Sequence, residues 1–495
     1  MKLSALLSVL PEKKVFGNRE PEITGLVYDP LRVTPGCLYV AINVYTQLDK
    51  IEIPDGHQVL PEAIRAGAVA VVLQRDMPVP EGVVKIVVPD SRYALALLAV
   101  EFYGHPARSL QLIGVTGTNG KTTTTHVIES LLMTRYRTGL IGTLYYKING
   151  RPCPSKDTTP EPPDLAAIFT EMVKEQCEFC TMEVSSHAVD FHRVVGVEYQ
   201  AAVWTNLSQD HLDWHKTMEN YRNAKLRWLA GLDPQRHVAL NMDDPSAHYF
   251  IEGVRAQKVL YGLKNKADVT ARNCRLSGDG TQFTLVTPKG EIEVNAKLRG
   301  EFNLYNMLAG VAAVLNFPLT LDDVKLGLEK NIAVAGRFQP VALGQPFSVI
   351  IDYAHTPGGM ETVLRAARAM KPKRLITVFG CGGDRDRAKR PPMAAAVEAN
   401  SDLFIITDDN PRTEDPDQIT GDIVAGLQQK HSGACQIVHD RREAIKRALD
   451  MGQPGDLVLV VGKGHESTQI LKDHTIHFND YEVAEELLRK KGYGG

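Results

Sequence analysis

Gly114-Val115-Thr116-Gly117-Thr118-Asn119-Gly120-Lys121-Thr122-Thr123 is the stretch from which the rest of the chain is read. The apolar run Leu110 to Val115 before it predicts a buried strand. From Thr124 to Tyr136 after it, apolar residues recur at helical spacing. Strand, glycine-rich turn and helix form the context of a phosphate-binding loop. Successive backbone N–H groups and the helix N-terminus face the anion, Lys121 reaches the terminal phosphates, and the Thr122 hydroxyl can ligate Mg²⁺. The strict pattern wants glycine at position 115, where this chain has Val115, so the loop is a variant.

The totals set the frame. A chain of 495 residues is too long for one core, and three domains are expected. Apolar content of 43% and charged content of 23% are those of an ordinary globular protein. A net charge of −3 leaves no basic excess for a nucleic-acid backbone. Seven scattered cysteines point to a reducing compartment without a disulfide framework, and Cys177-x-x-Cys180 is read as strand burial, not a zinc or redox pair. Leu3, Leu6, Leu7 and Leu10 share one helical face, and no small-residue cleavage site follows, so the start reads as an amphipathic helix and not a signal peptide. No apolar run approaches the ~20 residues of a membrane span. A cytoplasmic monomer acting on small molecules is expected.

Three α/β stretches follow in order: 1–107, 108–335 and 336–495. The first has short strands at Ile23 to Val27, Cys37 to Ile42, Ala68 to Leu73 and Val83 to Val88, helices at Gln58 to Ala66 and Tyr93 to Tyr103, and no catalytic constellation; it reads as a handle for substrate. In the second, Asp157-Thr158-Thr159-Pro160 precedes a helix beginning near Pro163. The strand Phe179 to Val184 delivers Glu183 at its carboxyl end, where an Mg²⁺-directed carboxylate is expected beside a phosphate loop. The strand Ala201 to Thr205 runs into Asp210-His211-Leu212-Asp213-Trp214-His215, a crowding that suggests metal or phosphate chemistry. Lys225 lies in a helix Tyr221 to Ala230. Asn303 and Asn306 precede a helix Met307 to Leu315 and can offer amide contacts to a nucleotide.

The third stretch predicts a Rossmann-like parallel sheet. Its strands are Phe347 to Asp352, Arg374 to Gly380, Leu403 to Thr407, Gln436 to Val438 and Leu457 to Val461. Polar loops follow four of them, at Asp352 to Pro357, Gly380 to Arg387, Asp408 to Arg412 and Gly462 to Glu466. Ligands bind outside the carboxyl ends of parallel strands, so four such loops point to one site. No Gly-x-Gly-x-x-Gly lies among them, against a dinucleotide fold proper.

These motifs, in this order, closely resemble the Mur ligases, ATP-dependent amide-forming enzymes of peptidoglycan precursor synthesis. The resemblance rests on Gly117 to Thr123, Glu183 to His187, Asp210 to Asp213, Asn303 to Asn306, Gly336-Arg337 and Asp352 to His355. Within the family, Asp409-Asn410-Pro411-Arg412 resembles the signature of members that add meso-diaminopimelate to UDP-N-acetylmuramoyl-L-alanyl-D-glutamate; lysine-adding members lack the arginine. The resemblance implies an acyl phosphate on the D-Glu carboxylate, attacked by the diaminopimelate amine. It implies Lys121, Glu183, His211 and Lys225 as catalytic residues. Thr122 and Glu183 would ligate the Mg²⁺ of ATP and His211 a second ion, and Lys225 would become a ligand once carbamylated by CO₂. ATP would meet Gly117, Thr118, Asn119, Gly120, Lys121, Thr122, Thr123, Asn303, Arg337, Asp352 and His355. The muramoyl-dipeptide would meet Thr158, Thr159, Ser185 and Arg193. Diaminopimelate would meet Arg385, Asp409, Asn410, Pro411, Arg412, Gly462 and Glu466.

Departures from the family pattern gather at the UDP-sugar end. Asp29 is followed by Pro30 and Leu31 where Ser-Arg is usual, so Tyr28 or backbone groups are expected to hold the uridine; Phe191 replaces Gln, Asp157 replaces Asn, and Gln339 replaces an acid. Rival readings are a lysine-adding member, a folylpolyglutamate synthetase-type ligase, or a P-loop ATPase serving as a regulatory module. The last releases phosphate with no amino-acid requirement.

Overall fold

The computed structural model describes residues 1–42, 55–278, 280–428 and 433–494. Position 495 and the 43–54 stretch of the expected first domain lie outside them. Three α/β sheets succeed one another along the chain, with a small antiparallel sheet between the second and third.

The first sheet has five strands in the order Lys14–Phe16, Val84–Val87, Ala70–Leu73, Cys37–Val40, Gly25–Val27. Four were predicted, each a residue or more too long. Lys14–Phe16 escaped notice: an edge strand exposed along its whole length, paired antiparallel to Val84–Val87, carries no apolar alternation. The N-terminal helix is only Leu3–Leu7, but Leu3, Leu6, Leu7 and Leu10 are all buried in one core.

In the second sheet six parallel strands run Gln257–Tyr261, His237–Asn241, Ala201–Trp204, Gln111–Thr116, Phe179–Glu183, Thr138–Ile141, and an antiparallel hairpin, Tyr146–Ile148 with Arg151–Cys153, extends one edge. Buried apolar clusters cover both faces, as a parallel sheet requires. Gln111–Thr116 is flanked by Ala201–Trp204 on one side and Phe179–Glu183 on the other, with Val115 level with Glu183 and Thr116 level with Trp204. Three adjacent strands therefore release their polar loops at one height, on one edge of the sheet. Cys177 and Cys180 are buried free thiols, and no cysteine of the chain is in a disulfide.

Three helices of the second domain start earlier than expected, among them Met218–Ala230, three residues before the expected Tyr221. Glu301–Val314 begins six residues before the predicted start, so Asn303 and Asn306 lie in its first turns and not in a loop ahead of it. Lys121–Leu132 starts at the phosphate-loop lysine itself. The antiparallel sheet Thr270–Ser277, Gly280–Thr287, Gly290–Ala296 went unpredicted, and its apolar residues join the core under the helix Glu301–Val314.

The third sheet runs Gln339–Pro340, Ser348–Asp352, Leu457–Val461, Leu375–Phe379, Leu403–Ile406, Cys435–Ile437, parallel except at Gln339–Pro340. An ion pair lies inside this domain. Arg441, fully buried, donates through Nε and Nη2 to the two carboxylate oxygens of Asp480, both at 2.7 Å, and through Nη2 to Val461 O at 3.0 Å. Truncating Asp480 strands a desolvated cation. Asp480→Ala is expected to lower stability by about 3–5 kcal/mol, read as a shifted urea midpoint; an unmoved midpoint would show that water reaches Arg441.

Candidate active site

The phosphate loop is shaped by what lies behind it. Gly117 has φ +147° and a Cβ there would fall 1.8 Å from Thr205 Oγ1; Gly120 has φ +88° and its Cβ would fall 2.4 Å from Asn306 Oδ1. No other residue fits either place. Val115 is the last buried residue but one of the strand, so the turn opens at Gly117, which is why glycine is not needed at 115. The loop is pinned from the next strand end. Asn206 Oδ1 accepts from Asn119 N at 2.9 Å, Thr205 Oγ1 donates to Asn119 O at 2.6 Å, and Ser208 N donates to Thr118 Oγ1 at 3.0 Å. Lys121 Nζ donates to the carbonyls of Gly117 and Thr118. Burial lowers its pKa and Arg337 adds to this, against the pull of Glu183 and Asp210.

A cavity of about 1230 Å³ opens over this loop and extends to the carboxyl ends of the third sheet. Its wall includes Thr118, Asn119, Gly120, Lys121, Thr122, Thr123, Glu183, His211, Arg337 and His355. It also includes Thr158, Thr159, Ser185 and Arg193, and Arg385, Asp409, Asn410, Arg412, Gly462 and Glu466. Five residues named from the sequence do not line it: Gly117, Lys225, Asn303, Asp352 and Pro411. Asp352 accepts from Phe338 N at 2.7 Å and Ala354 N at 2.8 Å, so its carboxylate is spent on the backbone that carries Arg337 and His355. Asn306 Nδ2 donates to Asn303 Oδ1 and Asn303 Nδ2 to Arg299 O, so this amide pair braces Gly120 from behind.

Glu183, at 1% exposure, accepts from Thr143 N at 3.0 Å and Thr143 Oγ1 at 3.2 Å while still facing the cavity. Lys225, also at 1%, donates from Nζ to Gly117 O at 3.0 Å and lies 4.4 Å over the Tyr221 ring. Burial, reinforced by Lys121, carries its pKa well below that of a free lysine. Close by, the rings of His187 and His211 meet edge to face at 4.8 Å. Burial, then His211 and His215, push His187 down to about 2, so it stands as a neutral imidazole. Burial likewise lowers His211, against the pull of Asp210. Burial works upward on Asp210, but His211, His355, Lys389 and Lys121 outweigh it and bring it down to about 2.

At the dipeptide side, Arg193 donates to Thr159 O at 2.8 Å and to Glu161, which Arg92 of the first domain also reaches at 3.2 Å. Arg92 has no motif in the sequence: it is a single arginine behind an Asp90 helix cap. Phe191 carries the Arg92 guanidinium 4.6 Å above its ring and stacks edge-on against Trp214 at 4.8 Å. The Tyr28 hydroxyl is engaged inside the protein: it donates to Asp164 at 2.6 Å beside an Arg32–Asp164 ion pair, tying the first domain to the second. Asp29 caps its own short turn and Leu31 is 93% exposed.

The far end of the cavity separates charge. Arg412 donates through Nη1 to Gly383 O at 3.0 Å, while its buried Nε has no partner. Burial, then Arg385, lower its pKa, the mark of a cation held without enough anion. Opposite it, Glu466 accepts from Asn410 Nδ2 and from Lys463 Nζ, both at 2.9 Å, and through the same oxygen. Burial, then Asp409, raise the Glu466 pKa, and a Gly462 Cβ would lie 2.7 Å from Asp409 Oδ2. Cations at one end and two carboxylates at the other suit an amino-carboxylate. His211, Asp384 and Arg412 each face this cavity with left-handed backbone, φ 54°, 56° and 55°, a strain of about 1–3 kcal/mol apiece of the kind that gathers at functional sites.

Comparison with known proteins places this architecture. Residues 115–314 match the Mur ligase middle domain and residues 336–464 the Mur ligase glutamate ligase domain. The chain is 45% identical to the UDP-N-acetylmuramoyl-L-alanyl-D-glutamate–2,6-diaminopimelate ligase of Geobacillus thermodenitrificans, over 99% of this chain and 100% of that one. The chain belongs to the Mur ligase family. The ligase of the same description from Syntrophomonas wolfei is 40% identical over 99% of this chain and 100% of its own. A solved structure of a UDP-N-acetylmuramoyl-L-alanyl-D-glutamate–2,6-diaminopimelate ligase superposes with a TM-score of 0.68 at 30% identity, covering 100% of both chains. MurF from Thermotoga maritima in complex with ADP superposes with a TM-score of 0.65 at 18% identity, a likeness of fold alone.

Proposed function

We propose that this Mur ligase joins 2,6-diaminopimelate, in its meso form, to UDP-N-acetylmuramoyl-L-alanyl-D-glutamate with hydrolysis of ATP, a step of peptidoglycan precursor synthesis. The observation that carries this reading is one cavity with two chemistries, a phosphate loop at one end and a charge-separated amino-carboxylate pocket at the other. The names of the relatives agree with it. Domain boundaries near 107 and 335 give the first domain to the UDP end, the second to ATP and the third to the incoming amino acid. Both the phosphate donor and the nucleotide sugar are cytoplasmic metabolites, so the enzyme is placed there; among the described residues no helix is long and apolar enough to cross a membrane.

A carboxylate does not acylate an amine at neutral pH because oxide is too poor a leaving group. Its oxygen must first attack the γ-phosphorus of ATP, releasing ADP and leaving an acyl phosphate. The amine nitrogen then attacks the acyl carbon, the carbon–oxygen bond breaks, phosphate departs and a proton is released. Each partner of the first step is an anion, so cations and positioning dominate. Lys121 and the loop N–H groups hold the polyphosphate, Arg337 reaches Thr122 Oγ1 at 3.3 Å, and Arg193 with Ser185 and the Thr158–Thr159 turn orients the dipeptide. Thr122 and Glu183 offer hard oxygens that would hold a magnesium ion, and His211 with a carbamylated Lys225 would hold a second; ions held there would offset polyphosphate charge.

Phosphate release measured with single amino acids tests the reading. Release is expected to require the UDP-dipeptide and meso-diaminopimelate together. L-Lysine should be slower by about 10²-fold or more, because a site built for a polar group rejects analogues that lack it. Release independent of any amino acid would instead support a P-loop ATPase module.

A further inference from the structure

The segment Arg387–Arg390 carries three cations, and the structure neutralises two. Arg387 donates to both oxygens of Asp422 at 3.0 and 3.1 Å. Arg390 is fully buried and held by Asp422 at 2.8 Å, by the carboxylate of Glu414 at 2.9 and 3.0 Å, and by Gly382 O at 3.2 Å. Lys389, between them, is the exception: it is half-buried on the cavity wall, and among the described residues it makes no hydrogen bond or ion pair. Its backbone is not loose. Asp386 caps the turn Arg387–Lys389 by accepting from Ala388 N at 2.9 Å, and the helix Arg390–Asn400 starts at the anchored Arg390.

Its place in the cavity is between the two halves of the chemistry. The Lys389 charge acts on Asp210 and His355, on the side of the phosphate loop, and also on Asp409, on the side of the amino-acid pocket. No other residue of that segment faces both. Arg337, another third-domain cation on the cavity wall, donates to Thr122 and lies over the Tyr353 ring at 4.7 Å, with its buried Nε unpartnered, so it stands beside the phosphate loop and does not replace Lys389 toward Asp409. Arg412 and Arg385 lie with the amino-acid pocket. A cation rigidly mounted on the third domain, unspent on protein and lying between ATP and the incoming amine, faces the place where negative charge moves during the reaction.

We propose that Lys389 is a further catalytic residue, an ammonium that contacts the transferred phosphoryl group in the acyl phosphate and again as phosphate leaves. This rests on the ligase reading above. When the carboxylate oxygen bonds to the γ-phosphorus and the bond to ADP breaks, charge passes to the phosphoryl oxygens. When the amine attacks, the carbon–oxygen bond breaks and the electron pair goes to phosphate. An N–H donor and full positive charge at that point lower both barriers without any proton leaving Lys389.

Lys389→Met, nearly equal in length and uncharged, isolates the charge. Steady-state turnover with the UDP-dipeptide, ATP and meso-diaminopimelate should fall by about 10²–10³-fold in kcat, with KM for diaminopimelate and for ATP each within about threefold of the parent. Lys389→Arg should recover at least a tenth of the parent kcat. The acyl phosphate, trapped by borohydride reduction of the UDP-dipeptide in the absence of diaminopimelate, should form more slowly in Lys389→Met. Because Lys389 makes no hydrogen bond or ion pair among the described residues, the thermal midpoint should move little. A kcat within threefold of the parent, a loss confined to KM for diaminopimelate, or no recovery in Lys389→Arg overturns the proposal. Absence of diaminopimelate-dependent turnover in the parent protein would overturn the ligase reading itself, and the two failures are thus separable.

Discussion

Lys225→Ala should lose about 10²–10³-fold or more in kcat, and acetate or formate added in the millimolar range should restore a measurable part of it. The Lys225 amine is held where a cation is disfavoured. Lys225 is buried in the helix Met218–Ala230, its nearest polar partner is the Gly117 carbonyl, and Lys121 stands close enough to repel its proton. Desolvation and like charge both favour the neutral form. A neutral amine is a nucleophile toward CO₂: its lone pair would bond to carbon, a proton would leave, and the side chain would become a carboxylate-like anion. A carbamate on Lys225 would put oxygen donors beside the phosphate loop, where Glu183 supplies a carboxylate.

Two variants separate this from a packing role. Truncation to alanine leaves room for a small carboxylate to sit where the carbamate would be, so rescue by acetate reports the chemistry, while a collapsed loop would not respond to it. Lys225→Arg keeps a donor for Gly117 O but cannot take up CO₂ at neutral pH, and it should be inactive and unrescued. Turnover near the parent level in either variant without added acid discards the carbamate.

How far the sequence carried this reading depends on what kind of signal each feature leaves. Parallel strands buried on both faces leave continuous apolar runs, so Gln111–Thr116, Phe179–Glu183 and Leu457–Val461 were placed within a residue or two. The polar loops at their ends were visible because ligand chemistry in this fold gathers there. An exposed edge strand such as Lys14–Phe16 leaves no such trace. Side-chain commitment is equally silent: nothing in Asp352-Tyr353-Ala354-His355 says that the aspartate serves two backbone amides while the histidine faces the cavity. Long-range partners were out of reach for the same reason. Glu161 gathers Arg92 and Arg193 across 69 and 32 residues of sequence, and the Tyr28 hydroxyl finds Asp164 across 136.

Arg412 carries the other large effect. Its backbone sits at φ 55°, fixed by Arg412 N donating to Ile470 O at 3.1 Å, so the guanidinium is aimed by the loop and not by side-chain freedom. One nitrogen is spent on Gly383 O, and the buried Nε has no partner within the protein. A planar fork with an unspent edge matches a carboxylate. Meso-diaminopimelate differs from lysine by the carboxylate on its distal carbon, and with that carboxylate docked on Arg412, the neighbouring ammonium would be expected toward Asp409 and Glu466. Lysine leaves the fork desolvated and unpaired, so the same residue attracts one substrate and penalises the other. Arg412→Ala should therefore lower kcat/KM for meso-diaminopimelate by about 10²-fold or more, equivalent to roughly 3 kcal/mol for a buried charge pair losing one partner. Arg412→Lys should regain little of it, since a point charge does not reproduce the fork. KM for ATP should stay within about twofold, because Arg412 lies at the opposite end of the cavity from Lys121. A fall in ATP affinity in step with that for diaminopimelate would mean that the loop, and not the carboxylate contact, had been lost, and the assignment of substrate choice to Arg412 would fail.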